Sequence, residues 1–310
     1  MNPEILKESP WGPLEVADSH VHFFSHGFFT LLARQAGLDS AAAACARAAV
    51  EAPPEDPREL AARWVAELDR HKVSRAVLLA SLPGDEESVA QAVEAFPGRF
   101  YGWFFLNPVA QDAAARCEQW LGRGLRGVCL LPAMHGYPLS DPRVEEVLAV
   151  AEQHNAVVFV HCGALSVGIR ARVGAPSPFD MRFSNPVELH APALRRPRLR
   201  FVIPHFGAGY FREALMTASL CPNVFFDTSS SNSWTRFLTP PPSLEQVFER
   251  ALEIAGPERL LFGTDSSFFP RGWVGAVYER QCEAWRNVGI DAAAARAIFG
   301  GNLARLMQTP

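Results

Sequence analysis

Two histidines, His20 and His22, stand one residue apart at the end of the first apolar segment of the sequence. Residues i and i+2 of a β-strand point to the same side, so a strand here would present both imidazoles together. Imidazole nitrogens bind transition metals and carry protons near neutral pH. Taken alone, the H-x-H pattern fits a metal-binding pair and two unrelated polar residues at a strand end equally well.

Three more polar residues follow later apolar segments in equivalent places. His161 and His205 end two such segments, and Asp265 ends the segment LLFGTD. If the segments are strands of a parallel barrel, their carboxyl ends meet at one mouth and bring all five residues together. Buried polar groups are costly without partners, so this repeated placement favours a functional site over coincidence.

The segments that would carry these residues are short apolar runs separated by amphipathic ones. Continuous apolar strands of this kind are typical of a parallel sheet covered by helices. The predicted strands are residues 14–23, 73–82, 100–106, 125–131, 156–161, 199–205, 223–228 and 259–265. The predicted helices are residues 57–71, 86–96, 113–122, 141–154, 185–195, 211–220, 244–255 and 274–288. Successive β-then-α units predict an α/β protein with a (β/α)8 TIM barrel, forming one domain over residues 1–310.

Two of the predicted connections are unusually long. The first βα loop contains an alanine-rich segment, residues 40–52, which is predicted to be a helical excursion that serves as a lid or as a subunit contact. The second long connection follows the fifth strand and covers residues 163–184. Loops that follow the strands of a barrel lie at its catalytic face, so both are expected to cover the site.

Composition excludes several classes of protein. The net charge is −4 and there is no basic stripe, which argues against a nucleic-acid partner. No apolar stretch is long enough for a membrane span, and the first residues lack the apolar region of a secretory signal. The six cysteines are scattered without a C-x-x-C pair, which indicates reduced thiols and a cytoplasmic protein.

The chain resembles the amidohydrolase superfamily, and within it the amidohydrolase-related branch that includes aminocarboxymuconate-semialdehyde decarboxylase. The stretches that carry the resemblance are DSHVHF, FVHCGA, IPHFGAG, LLFGTDSSF and GNLARLM, which occur in the family's order and span almost the whole chain. The resemblance implies that His20, His22, His161 and Asp265 hold one divalent metal, usually zinc. It also implies that His205 lies beside the metal-bound water or the substrate, and that the protein is a homodimer.

Three imidazoles and one carboxylate suit zinc, manganese, iron or cobalt, and zinc is favoured by the type of ligand. Such a metal lowers the pKa of a bound water towards about 7. His205 can hydrogen-bond this water or polarise a carbonyl group. Asp265 can bind the metal and carry a proton to the leaving group, so His205 and Asp265 are the predicted catalytic residues.

Many members of the superfamily hold two metals bridged by a carbamylated lysine on the fourth strand. This chain has only two lysines, Lys7 and Lys72, and neither is expected to reach the mouth of the barrel. Cys129 lies close to the position of that lysine and is interpreted as barrel packing. One metal ion per chain is therefore predicted.

The loop after the fifth strand carries Arg170, Arg172 and Arg182. Arginine binds carboxylates in a bidentate way, so a small anionic substrate is predicted, although most of these residues can equally be solvated loop charges. Trp234 follows a hydroxyl-rich segment after the seventh strand and is predicted to add aromatic surface to the pocket.

The ligand set favours a metal-dependent hydrolase that attacks an amide, ester or lactone bond through a metal-activated water. Two alternatives remain open. A non-oxidative decarboxylase of a small unsaturated or aromatic carboxylic acid would use the same residues. A non-catalytic barrel with a structural metal is disfavoured, because structural zinc sites are usually closed by four protein ligands.

Overall fold

Eight parallel strands form one nearly closed barrel in the computed structural model, which describes residues 5–229 and 233–308. The strands are β1 Ala17–His22, β2 Arg75–Ala80, β3 Phe100–Leu106, β4 Gly127–Leu130, β5 Val157–Val160, β6 Arg200–Ile203, β7 Val224–Asp227 and β8 Leu260–Leu261. Each strand pairs with the next along the chain. The chain after β8 returns to β1, where Ser19 N donates to Phe262 O at 2.8 Å and His22 N donates to Ser266 O at 2.8 Å. The predicted TIM barrel is confirmed.

Helices alternate with the strands and surround the barrel. The α-helices are α1 His26–Gln35, α2 Ala41–Ala48, α3 Pro57–Arg70, α4 Glu86–Ala95, α5 Ala113–Gly122, α6 Pro132–His135, α7 Pro142–Gln153, α8 Gly168–Val173, α9 His190–Arg195, α10 Phe211–Leu220, α11 Leu244–Ala255, α12 Gly275–Val288, α13 Ala292–Arg296 and α14 Asn302–Met307. Short 3₁₀ turns cover Met181–Phe183, Pro186–Leu189, Pro204–Gly207, Trp234–Phe237 and Pro257–Arg259, and a π-helical turn covers Ala297–Gly301. Among the helices of the described residues, none combines the length and apolar character that crossing a bilayer requires.

Capping side chains explain where several helices begin. Asp141 caps α7 by accepting a hydrogen bond from Arg143 N at 2.9 Å, with a proline at the first helical position as the sequence predicted. The predicted helix over 185–195 is divided into the turn Pro186–Leu189 and α9. Pro192 accounts for the break, because its nitrogen has no proton to donate to the carbonyl of Glu188 in a continuous α-helix.

The side chains of the strands divide into two layers. An outer layer packs against the helices, and an inner layer fills the barrel beneath its mouth. The inner layer includes Val77, Trp103, Cys129 and Phe159, and the side chains of α14 close its floor. Cys129 is thus a packing residue inside the barrel, as the sequence indicated.

The chain between β1 and α3 forms a separate apolar cluster above the barrel mouth. Ser25 caps α1 by accepting a hydrogen bond from Phe28 N at 2.9 Å, and Ser40 caps α2 by accepting one from Ala43 N at 3.1 Å. Both helices pack with α8, which lies in the long connection after β5. This cluster forms a lobe that covers part of the site.

Candidate metal centre and substrate cavity

Five polar side chains converge at the carboxyl ends of four strands. His20 and His22 lie in β1, His161 follows β5 directly, and His205 and Asp265 lie in the turns after β6 and β8. The ring centre of His20 is 5.1 Å from that of His22, 5.1 Å from that of His205 and 6.0 Å from that of His161. The fold therefore brings together all the residues for which a metal or catalytic role was predicted.

Asp265 faces the two histidines of β1. Its Oδ1 is 3.1 Å from His22 Nε2 and 3.7 Å from His20 Nε2. Burial alone would raise the pKa of this carboxyl, but His22, His20 and His205 together hold it below its usual range. Asp265 is therefore a carboxylate at neutral pH. Its backbone has a positive φ of 58°.

His161 and His205 complete the cluster on its other side. Their ring centres are 5.9 Å apart. Burial and the neighbouring imidazoles lower the pKa of His161 well below its ordinary value, and burial lowers that of His205. Both imidazoles are therefore neutral near pH 7. A neutral imidazole is the form that ligates a metal or accepts a proton.

The residues present fit one divalent metal ion. Ligand atoms of His20, His161 and His205 lie within 4.8 Å of one another, and so do those of His20, His22 and Asp265. The buried atoms His20 Nε2 and His161 Nδ1 have no hydrogen-bond partner within the described residues. Unpartnered buried nitrogens are costly, and a bound cation would satisfy those that face it. Imidazole and carboxylate donors are the set that zinc and similar metals prefer.

Two buried carboxyl groups support the cluster from behind. Asp227 Oδ2 lies 3.2 Å from His20 Nδ1 and accepts from Ser19 Oγ at 3.0 Å. Asp18 accepts from His20 N at 2.9 Å and from Trp273 Nε1 at 2.7 Å. Burial raises the pKa of Asp18 to about 6, whereas His20 outweighs burial and lowers that of Asp227. Neither carboxyl group was singled out from the sequence, although Asp227 also ends a strand.

The cluster opens into a cavity of about 270 Å³. This volume is close to the lower end of the usual range for small-molecule sites. His22, His161, His205 and Asp265 line its deep side. Its walls are mainly apolar and aromatic, formed by Phe24, Phe28, Leu32, Leu82, Phe105, Leu131 and Phe268.

Two of the three predicted arginines line this cavity. Arg170 is buried and donates to Pro176 O and, at 2.6 Å, to Gln35 Oε1. Arg172 lies over the ring of Phe268, with 5.4 Å between the guanidinium carbon and the ring centre. Arg182 does not line the cavity, because it is exposed and pairs with Asp180.

Trp234 also lies away from the cavity lining. It is buried and packs against Phe211, with ring centres 5.6 Å apart. Residues 230–232 of the hydroxyl-rich segment before it lie outside the described part of the chain. The sequence predicts that this tryptophan adds aromatic surface to the pocket, but its ring belongs to the packing around α10.

A cavity arginine that sequence reasoning missed is Arg271. It donates to Asp265 O at 2.8 Å and to Ser267 Oγ at 3.1 Å, and its guanidinium carbon is 5.1 Å from the ring centre of Phe268. The available signal was its position shortly after a predicted strand end. Neither Arg271 nor Arg172 pairs with a carboxylate in the described residues.

The two lysines lie away from the metal cluster. Lys7 Nζ donates to His71 O at 2.7 Å and lies over the ring of Tyr278, and Lys72 follows α3 before β2. In the fourth strand, Cys129 occupies the barrel interior. No lysine of the described residues is thus placed to bridge two metals.

A TIM barrel with a histidine and aspartate cluster at its mouth is the architecture of a large class of metal-dependent enzymes. A family model described as amidohydrolase matches residues 17–307. The chain belongs to this amidohydrolase family and is an enzyme of the corresponding superfamily.

Three relatives illustrate the range of this similarity. The chain is 28% identical over 144 residues to protein fluG of Emericella nidulans, a match that covers 45% of this chain but only 15% of that protein. 5-Carboxyvanillate decarboxylase LigW of Sphingomonas paucimobilis has a similar structure, with a TM-score of 0.65, 19% identity and coverage of 96% of this chain and 100% of that one. A probable 2-pyrone-4,6-dicarboxylic acid hydrolase of Acinetobacter baumannii, with citric acid bound, has a TM-score of 0.59, 16% identity and coverage of 95% and 99%.

Proposed function

We propose that this protein is a mononuclear metal-dependent hydrolase that cleaves an amide, ester or lactone bond of a small anionic molecule. The observation that carries the proposal is the cluster of four histidines and Asp265 at the deep side of a cavity of about 270 Å³. His20, His22, His161 and Asp265 are the proposed metal ligands. Zinc is the proposed metal, because nitrogen and carboxylate donors suit it.

The chemistry divides between the metal and the residues around it. When bound here, a divalent metal lowers the pKa of a coordinated water and polarises a carbonyl group. His205 is neutral and reaches the same space, so it is placed to orient or accept a proton from a group that reacts there. Asp265 lines the cavity as a carboxylate, so it could take a proton from the attacking water and pass that proton to the leaving group.

Charge supports the proposed anionic substrate. Arg170, Arg172 and Arg271 all line the cavity, and no carboxylate pairs with them in the described residues. Arg172 also lowers the pKa of Arg271, although burial is the larger cause. Neighbouring like charges repel, and an anion bound between them relieves the repulsion. We therefore propose Arg172 and Arg271 as substrate-binding residues, with Arg170 as a supporting charge.

The apolar wall gives a reason to test decarboxylation as a second function. Phe24, Phe28 and Phe105 form an apolar part of the lining of the same cavity. Losing carbon dioxide removes a charge from such a surface, which favours the product. The same ligands and the same cavity would serve this reaction.

Isotopes distinguish the two reactions once a screen of carboxylated aromatics, lactones and amides has found a substrate. Turnover in ¹⁸O-water by a hydrolase places heavy oxygen in the acyl product. A decarboxylase releases carbon dioxide and takes one solvent proton onto the former carboxyl carbon, which appears as deuterium in heavy water. Release of carbon dioxide with no oxygen incorporated in the other product would overturn the hydrolase proposal and leave the metal centre intact.

One alternative is disfavoured, and two further properties of the protein, its location and its assembly, are proposed with this function. The alternative of a non-catalytic barrel is disfavoured by the open cavity beside the cluster, because a structural zinc site has no room for a further ligand. The cysteines of the described residues are all unpaired, which supports a cytoplasmic location. A homodimer is the proposed assembly, and light scattering of the purified protein tests it.

A further inference from the structure

Asp227 lies behind the metal cluster and is approached by several hydrogen-bond donors. Ser19 Oγ donates to its Oδ2 at 3.0 Å, and Ser229 N donates to its Oδ1 at 2.8 Å. Ser229 Oγ also donates to Oδ1. A carboxyl group that accepts from so many donors is held as a carboxylate, which can only accept. His20 Nδ1, 3.2 Å from Oδ2, must therefore carry a proton to make its hydrogen bond.

Through Ser229, the carboxylate of Asp227 also determines which nitrogen of His205 carries the proton. The serine hydroxyl has a single proton, and Asp227 Oδ1 accepts it. Ser229 Oγ is 2.9 Å from His205 Nδ1, so it can only accept there. The carbonyl oxygen of Ser229, 3.2 Å from the same nitrogen, is also an acceptor. His205 Nδ1 must therefore be protonated, and in the neutral ring Nε2 carries a lone pair.

A second serine repeats this arrangement at His22. Ser81 Oγ donates its proton to Leu79 O at 3.0 Å. It lies 2.6 Å from His22 Nδ1, so this oxygen accepts and the nitrogen donates. In the neutral rings of His20 and His22, both Nε2 lone pairs then face Oδ1 of Asp265, at 3.7 and 3.1 Å. Lone pairs facing a carboxylate repel it unless a cation lies between them.

We propose that Asp227 is a positioning residue that fixes the Nδ1–H tautomer of His20 directly and that of His205 through Ser229. One buried carboxylate thereby leaves a lone pair on Nε2 of two histidines of the cluster. In the neutral state His205 is then a proton acceptor or a ligand, and it is not a hydrogen-bond donor to a substrate carbonyl. This inference rests on the proposed metal centre, and it gives Asp227 and Ser229 a role in positioning the histidines of that centre.

The tautomers can be read directly in metal-free protein labelled with ¹⁵N-histidine. Long-range ¹H–¹⁵N correlation spectra distinguish a protonated Nδ1 from a protonated Nε2, and His20→Gln and His205→Gln variants assign the signals. We expect both residues to carry the proton on Nδ1 in the wild-type protein. In Asp227→Asn, the amide can donate to His20 Nδ1, so we expect a population with the proton on Nε2. Affinity for Zn²⁺, measured by competition with a chelator, should fall about 10–100-fold.

Asp18→Asn is the matched control. Asp18 is also a buried carboxyl group beside His20, but it accepts from the backbone nitrogen of His20 and touches no imidazole nitrogen through a hydrogen bond. A merely structural role for Asp227 predicts that the two variants lose thermal stability alike and leave the tautomers unchanged. The positioning role predicts that only Asp227→Asn changes the His20 signals and the Zn²⁺ affinity.

Ser229 provides the separate test of the link to His205. Ser229→Ala should leave His20 in the Nδ1–H form and lower the fraction of His205 in that form, because only the backbone carbonyl oxygen of residue 229, 3.2 Å away, then accepts from His205 Nδ1. Ser229→Thr, which keeps the hydroxyl group, should restore that fraction. Wild-type tautomers in both Asp227→Asn and Ser229→Ala would overturn the proposal. Because no substrate is used, this failure is distinguishable from a wrong assignment of the reaction.

Discussion

Arg271 donates a hydrogen bond from Nη2 to the backbone carbonyl oxygen of Asp265, 2.8 Å away. The contact fixes a positive charge beside the carboxylate that is proposed to bind the metal. A second guanidinium, that of Arg172, lies over the same Phe268 ring. The cavity therefore has a positively charged wall next to its metal ligands, and this wall is suited to hold an acidic group of the substrate close to the reacting centre.

Replacing Arg271 should weaken substrate binding more than it slows the reaction. Hydrogen bonds to charged groups contribute about 1.5–3 kcal/mol, so Arg271→Gln is expected to raise KM about 10–100-fold for an anionic substrate. Arg172→Gln should act in the same direction. The measurement is a comparison of kcat and KM, with metal content determined for each variant.

Arg182→Gln is the control for this experiment. Arg182 comes from the same connection after β5, but it is exposed, pairs with Asp180 and does not line the cavity. Its replacement should change neither kinetic constant. Equal effects of Arg182→Gln and Arg271→Gln would show that the affinity for the substrate depends on the net charge of the protein and not on a direct contact with Arg271.

The metal stoichiometry is expected to be one ion per chain. His20 belongs to both groups of candidate ligands, so the two groups share one centre. Elemental analysis of the purified protein should give about one equivalent of a transition metal, and a chelator should abolish activity until metal is returned. Two tightly bound equivalents would contradict the single centre.

Ligand and catalytic roles separate in the histidine variants. His20→Ala and His22→Ala should lose metal and activity together, because each removes a proposed direct bond to the metal. His205→Asn should keep most of the metal and lower turnover by about 10²–10⁴-fold, which is the usual contribution of a positioned acid–base group. If His205→Asn loses metal as completely as His20→Ala, then His205 is a ligand.

The barrel was predictable because its signal is local and repeated. Apolar runs and amphipathic segments follow one another along the chain, and the predicted ranges of α5, α10 and α11 match their observed bounds. The predicted range of β3 matches its observed bounds, but the other strands are shorter than predicted, and β8 contains only Leu260–Leu261. Periodicity locates a strand, but the ladder of hydrogen bonds that defines its ends depends on neighbouring strands.

The candidate ligands were predictable for a related reason. His161, His205 and Asp265 follow strands, and barrel geometry alone brings strand ends together. The supporting groups were not predictable, because their partners are distant in sequence. Asp18 and Thr264 are separated by 246 positions, and their contact exists only once β1 meets the chain after β8. Arg182 and Arg172 look alike in the sequence, and only the packing of α8 against α2 brings one of them to the cavity.

A buried carboxyl group at the start of α4 leads to a prediction about pH and stability. Asp85 accepts from Ser25 Oγ at 2.7 Å and from Ser88 Oγ at 2.6 Å, and it thereby ties the loop after β2 to the first turn of α1. Burial raises the pKa of Asp85 from an ordinary 3.8 to about 7, and the adjacent Glu86 adds to this effect. The folded protein therefore binds this proton more tightly than the unfolded chain does.

The free energy of unfolding should consequently decrease as pH rises through this range, because ionisation of Asp85 is easier in the unfolded chain. Asp85→Asn keeps the shape of the side chain and removes the titration. Between about pH 5 and pH 8, the wild type should lose about 2–3 kcal/mol of stability relative to the variant. Urea unfolding of both proteins in a chelator, which removes the contribution of bound metal, measures this difference. Parallel pH profiles for the two proteins would contradict this prediction, because they would mean that the pKa of Asp85 is the same in the folded protein and in the unfolded chain.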